Sequence, residues 1–147
     1  MFRGRFEHTI DNKGRISLPA KFREVLSSEG DYRLVITNSF ENCLIAYPFA
    51  AWQKIEAQLK SHSFTQKKVR DFVRFFVSGS SECSIDKLGR IMIPSNLRDF
   101  ASLEKDITFA GVLDKFEIWN KEKWENVVEG PQENFDEITT SFPEIKI

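Results

Sequence analysis

Short runs of alternating apolar and polar residues open this chain and return halfway along it, each time followed by a run of helical period. RFEHTI, from Arg5 to Ile10, alternates as a strand buried on one face does. Asp11, Asn12, Lys13 and Gly14 then form a turn signature, because Asp accepts hydrogen bonds from the turn backbone and Gly takes positive φ. A second strand is predicted from Arg15 to Leu18, and Pro19 follows it as the first residue of a helix, a position proline suits. In AKFREVLSS, Phe22, Val25 and Leu26 share one helical face, and Gly30 closes the helix. Strands from Tyr32 to Thr37 and from Cys43 to Tyr47 complete the unit.

The same order recurs. EHTIDNKGRISLPAKFR (7–23) aligns with ECSIDKLGRIMIPSNLR (82–98) at a shift of 75 residues, with 8 of 17 positions identical, Asp11/Asp86, Gly14/Gly89, Arg15/Arg90, Pro19/Pro94 and Arg23/Arg98 among them. The match extends to Asp31/Asp106 and resumes at a shift of 72, pairing NCLIAYPFAAW (42–52) with DKFEIWNKEKW (114–124), so that Trp52 falls on Trp124. A coincidence of this length marks a duplicated module. The second copy predicts strands Ser81–Ile85, Arg90–Ile93, Ile107–Ala110 and Phe116–Trp119, with Leu97, Phe100 and Ala101 on the inner face of its helix. Between the copies, 48–59 and 65–79 read as helices, the second with an apolar stripe of Val69, Phe72, Val73 and Phe76 that signals packing. After Trp124 the composition turns acidic, and 130–147 reads as a loosely ordered tail or docking arm.

The organisation expected is therefore α+β: a first module at 5–50, a helical connector at 51–80, a second module at 81–124 and an acidic C-terminal tail at 125–147. A module of roughly 45 residues is close to the size at which one core fails to stabilise itself. Pairing the two copies, so that their hairpins share a core, removes that difficulty and covers exposed sheet edges. The same surface could pair between chains, and head-to-tail pairing that closes produces a ring.

Composition narrows the class. With 41% hydrophobic residues, 14 Phe and 3 Trp, a packed core is affordable. No apolar run is long enough to cross a bilayer, the N-terminus lacks a signal-peptide core, and the two cysteines, Cys43 and Cys83, stand alone, so a reducing cytosol is expected. The net charge of −1 conceals an asymmetry: residues 1–75 hold 13 basic against 8 acidic residues, and residues 76–147 hold 8 against 14. An anion-binding N-terminal half follows, although charge sign alone does not separate DNA from RNA or an acidic membrane. Catalysis finds little support. His8 and His62 lack neighbouring metal ligands, His8 aligns with Cys83 and Cys43 with Lys115, and no phosphate-binding or nucleophile motif occurs, so neither metal nor cofactor is expected.

MFRG at the start, DNKGR with LPAKFRE, CLIAYPFAAW, ECSIDKLGRIMIPSNLR and KFEIWNKEKW together resemble the MraZ family of bacterial regulators, from Met1 to about Trp124. The resemblance implies two AbrB-like swapped-hairpin β-barrel modules and a homo-oligomeric ring. It also implies binding to direct repeats in double-stranded promoter DNA, upstream of the division and cell-wall gene cluster, in a cytoplasmic, nucleoid-associated protein with neither membrane nor small-molecule partner. It marks Asp11 with Arg15, and Asp86 with Arg90, as the functional motif of each module. Lys13 of the first module becomes Leu88 in the second, with a lysine displaced to Lys87.

The residues themselves suggest how DNA would be read. Base discrimination needs a planar donor fork, and a two-stranded ribbon fits the major groove. Arg15 is expected to read a base edge, Lys13 to hold phosphate, Gly14 to let the backbone approach, and Arg3 and Arg5 to reinforce the field. Arg90 reads equally as a DNA contact or as a structural pair, with Lys87 beside it. Asp11 and Asp86 read as turn-stabilising partners of their arginines, Arg23 and Arg98 as solvated or ion-paired, and Trp52 and Trp124 as core anchors. An antitoxin-like interaction protein and a scaffolding ring are the competing classes.

Overall fold

The two alternating runs of the first repeat become strands β1 (Arg5–Thr9) and β2 (Arg15–Ser17), followed by helix α1 (Ala20–Glu29), strands β3 (Arg33–Asn38) and β4 (Leu44–Pro48), and helices α2 (Phe49–Lys60) and α3 (Lys67–Phe76). The second repeat gives β5 (Ser81–Ser84), β6 (Arg90–Met92), α4 (Ser95–Phe100), β7 (Asp106–Gly111), β8 (Phe116–Asn120), α5 (Lys121–Glu133) and α6 (Phe135–Thr139). The structure, a computed structural model, describes residues 1–147.

Three details depart from the sequence expectation. Pro19, Pro48 and Pro94 stand one residue before their helices with ψ of 138°, 145° and 151°, so each ends an extended segment and supplies the first helical acceptor. Pro19 O, for instance, accepts from both Phe22 N and Arg23 N. Helices take up the first part of the segment expected as a loose tail or arm, 130–147, in which α5 ends at Glu133 and α6 covers Phe135–Thr139. Helix α5 continues β8 as α2 continues β4, with Asn120 Oδ1 accepting from Lys123 N at 3.2 Å as its cap. Pro131 cannot donate to the helical ladder, and α5 stops two residues later. Finally, β7 matches β3 in burial pattern from Asp106 and Arg33 onward, a shift of 73 rather than the 75 that pairs Asp106 with Asp31. The reason is α4, six residues long where α1 has ten, a shortening half offset by a longer connection to the next strand, 101–105 against 30–32.

Strand pairing runs across the repeats. The main sheet has the order β1-β7-β8-β4-β3-β5, and β2 pairs with β6 in a separate two-stranded ribbon. No ladder joins β1 to β2; β1 lies antiparallel to β7, and β5 to β3. Exchanging the repeats reverses the strand order and reproduces it, so the chain has an internal pseudo-two-fold axis. The axis passes between Ile16 and Ile91 in the ribbon and between Ile45 and Glu117 in the sheet, each pair consisting of equivalent residues placed opposite one another.

One continuous core joins both copies. Phe2, Ile16, Leu18, Phe22, Leu26, Leu34, Ile36, Ile91, Ile93, Leu97, Phe109 and Phe116 all belong to it. Ile16 and Ile91 are each 1% exposed, and burying such a side chain contributes about 1.5–3 kcal/mol. On the other face of β3 and β4, Val35, Tyr47, Trp52 and Phe76 form a smaller cluster under α2 and α3, with Phe72 packed against it. Trp52 is the core anchor expected. Trp124 is half-buried, 5.8 Å from Trp119 and beneath the Arg5 guanidinium.

Candidate nucleic-acid interface

The β2–β6 ribbon has an inner and an outer face, fixed by side-chain alternation. Ile16 and Ile91 point into the core, so Arg15, Ser17, Arg90 and Met92 share the opposite face. Arg15 is directly opposed to Met92, and Ser17 to Arg90. The two arginines are thus diagonal neighbours, with Cα atoms roughly 7–8 Å apart.

Each arginine is held by the aspartate four residues before it. Asp11 Oδ1 accepts from Lys13 N and Arg15 N, both at 2.9 Å, and Oδ2 accepts from Arg15 Nε at 2.7 Å. Asp86 repeats this with Leu88 N and Arg90 N at 2.9 Å and Arg90 Nε at 3.0 Å. The Arg15 backbone N–H, reinforced by the guanidinium, holds the Asp11 carboxyl below its ordinary pKa, and Arg90 does the same for Asp86. Because only Nε is engaged, both Nη groups of each guanidinium remain available on a part-exposed side chain. The aspartates orient the forks without covering them.

The turns are braced from the other repeat. Gly14 and Gly89 have φ of +84° and +76°. Gly14 is buried, and a Cβ there would lie 2.5 Å from the Ile93 carbonyl and 2.8 Å from Arg98 Nε. The close backbone approach at Gly14 is therefore to the second repeat. Ile93 N donates to Gly14 O at 2.8 Å, and Leu18 N to Gly89 O at 3.0 Å. Arg98 donates to Ile93 O at 3.0 Å and Asn12 O at 3.5 Å, and Arg23 donates to Leu18 O at 2.5 Å while packing against Gly89. These two arginines, expected to be solvated or ion-paired, each prop the other copy's turn. Their identity between the two repeats was the available signal.

A second pair of equivalent contacts ties β1 to β2 and β5 to β6. His8 Nδ1 lies 2.6 Å from Ser17 O, and since a carbonyl only accepts, Nδ1 carries the proton. At the equivalent place Cys83 Sγ lies 3.5 Å from Met92 O. Different chemistry performs one bridging task.

Lys13 and Lys87 are exposed on the two turns. Arg5, opposite Ala110, stands at the far end of β1 from the turn, about 13 Å from Thr9 along the strand. Its guanidinium lies 5.3 Å above the Trp124 ring. Arg3 precedes it and is exposed. The structure thus gathers Arg15, Arg90, Lys13 and Lys87 on the ribbon and its turns and sets Arg3 and Arg5 apart. Sequence reasoning passed over Met92 and noted Leu88 only as the replacement for Lys13; they are 60% and 71% exposed beside the arginines.

Fold and site together define an internally duplicated α+β protein whose exposed feature is an arginine-bearing antiparallel β-ribbon. The family model of the MraZ proteins, described as antitoxin-like, matches this chain twice, over residues 1–75 and 76–142. The chain belongs to the MraZ family. It is 48% identical to the transcriptional regulator MraZ of Thermoanaerobacter pseudethanolicus and 46% identical to that of Thermoanaerobacter sp. strain X514, over 147 residues and all of both chains in each case. The transcriptional regulator MraZ of Halothermothrix orenii is 42% identical, again over the whole of both chains.

Proposed function

We propose that this chain is a DNA-binding transcriptional regulator that lays the β2–β6 ribbon in the major groove of double-stranded promoter DNA. Relatives named as transcriptional regulators along the full length support the class. The observation that carries the mechanism is the pair of aspartate-clamped arginines on one outer ribbon face. A clamped guanidinium presents its remaining donors with little rotamer freedom left to lose, which suits guanine O6 and N7. Arg15 and Arg90 read bases, Lys13 and Lys87 hold phosphates, and Gly14 keeps the first turn closed against the second repeat. Arg3 and Arg5 contribute only to the longer-range field.

In the finer reading, strand exchange between the repeats makes one AbrB-like swapped-hairpin barrel per chain. Several chains form a ring, which sets ribbons on successive direct repeats upstream of the division and cell-wall gene cluster. Weak single contacts then add through effective concentration. Since the repeats satisfy each other within one chain, ring contacts use other surfaces, such as the groove lined by Tyr47, Ala51, Ile55 and Leu113. The protein works in the cytoplasm, on the nucleoid.

The test is binding of purified protein to DNA from upstream of its own gene across a salt series, beside Arg15→Ala and Lys13→Ala. Arg15→Ala is expected to lose about 1–3 kcal/mol of discrimination, roughly tenfold or more in affinity, at unchanged oligomeric size. Lys13→Ala weakens all sequences alike and flattens the salt slope by about 1. If Arg15→Ala dissociates the assembly instead, the motif serves assembly. If wild-type protein shows no preference for that DNA, the antitoxin-like or scaffolding reading replaces this one.

A further inference from the structure

We infer that Met92 and Leu88 are specificity-determining residues that contact the C5-methyl groups of thymines in the major groove, beside the bases read by the arginines. The inference rests on the DNA reading above. Two large apolar side chains on an otherwise polar recognition ribbon call for an explanation: Met92 is 60% and Leu88 71% exposed. Neither belongs to the core, whose ribbon contribution comes from Ile16 and Ile91 on the opposite face. Nor does turn geometry ask for leucine at 88, because Asp86 holds the turn through the backbone N–H groups of Leu88 and Arg90 and not through the leucine side chain. The first repeat has Ser17 and Lys13 at the equivalent places. The duplicated fold accepts polar residues there, so the second repeat's choice is not dictated by folding.

Register fixes what these side chains can reach. Met92 is directly opposite Arg15, with Cβ atoms about 4.5–5.5 Å apart, and it shares the outer face with both arginines. Successive base pairs rise about 3.4 Å, so with Arg15 on a guanine, Met92 reaches the adjacent or next base pair. Leu88 lies in the turn two residues before Arg90, exposed at the other end of the ribbon, where Ser17 is the residue opposite that arginine. Along the major-groove edge, thymine alone among the four bases offers an apolar group, its C5-methyl. A flexible thioether and a branched alkyl group suit a methyl and offer nothing to a phosphate. The ribbon therefore reads hydrogen-bonding edges with its arginines and methyl groups with Met92 and Leu88.

The experiment compares two duplexes from upstream of the chain's own gene, one with thymine and one with uracil throughout. Both are bound by the full-length protein and by Met92→Ser/Leu88→Ala at one salt concentration. Wild type is expected to bind the uracil duplex about fourfold more weakly for each thymine methyl group that the two side chains cover. The double variant, with Tm and oligomeric size unchanged, binds both duplexes with nearly equal affinity. If it keeps the wild-type preference for thymine, or if wild type has none, the inference is overturned while the DNA reading stands. A change in oligomeric size on substitution assigns the pair to assembly and overturns it as well. Failure of wild type to bind either duplex overturns the DNA reading, and this inference with it.

Discussion

The most consequential single residue is Asp11, because one carboxylate both closes the turn and aims Arg15. Its folded pKa is depressed, so its stabilising contribution is present above the unfolded value of about 3.9 and is lost as pH falls through the lower folded value. Asn in its place keeps an acceptor for the turn N–H groups but forfeits the ion pair. Asp11→Asn is therefore expected to melt below wild type at pH 7, with the gap narrowing below pH 4 and closing once both states are protonated. Melting curves between pH 7 and pH 2 measure this, and a gap independent of pH would count against the clamp. The cysteines give a second expectation at this scale. Burial pushes the Cys43 thiol up to about 12 and raises that of Cys83. Both should stay unreactive toward a thiol reagent at pH 8 in the native protein and react on unfolding; rapid native labelling of either would contradict their burial.

At the scale of elements, the turns are where local conformation and packing between repeats meet, and glycine substitutions separate the two. Gly30 (φ +73°) and Gly14 (φ +84°) both need left-handed backbone, but Gly30 has open space around it, whereas Gly14 faces the Ile93 carbonyl. Gly30→Ala should cost about 1–2 kcal/mol from conformation alone. Gly14→Ala should cost about 1–3 kcal/mol more through overpacking. Urea unfolding of both variants measures the difference, and equal costs would mean that the repeats do not press on one another at the turn. This contrast also shows why part of the fold was legible beforehand and part was not. Alternation and the Asp-x-x-Gly-Arg signature are local, so strands, turns and the buried faces of α1 and α4 could be read off residues 5–26 and 82–101. Burial pattern does not name a strand's partner, so residues alone could not send β1 to β7 rather than β2. Nor could composition find α5, since its helix depends on following β8 with Trp119 against Trp124, not on an apolar stripe. In the site, Asp11, Arg15, Asp86 and Arg90 stood out by repetition. Met92 did not, and Leu88 showed only as a lost lysine, because an isolated apolar residue carries no signal of its own until its exposure is known.

For the molecule as a whole, duplication has converted a contact between copies into a contact within one chain. Within a repeat only β3–β4 and β7–β8 pair; the other ladders cross the repeats, so β1 needs β7, β5 needs β3, β2 needs β6, and β4 needs β8. A single repeat would leave these edges open, with Ile16, Leu18 and Phe22 facing water on one side of an incomplete core. Its own pseudo-symmetry supplies the remedy, because each edge is complementary to the equivalent edge of another copy. Residues 1–79 expressed alone should therefore be either unfolded or a homodimer in which β1 of each copy pairs with β3 of the other. Mixing them with residues 80–147 should restore the native circular dichroism spectrum and a one-to-one complex. Sedimentation and spectroscopy of the two fragments, separate and mixed, decide the matter. A stably folded monomer of either fragment would show that the repeats are independent domains. The ribbon would then be an interface between finished units rather than part of a shared core, and Arg15 and Arg90 would no longer be held rigidly on one face. The proposed geometry of DNA reading depends on that rigidity, so the fragment experiment tests the foundation of the site as well as the fold.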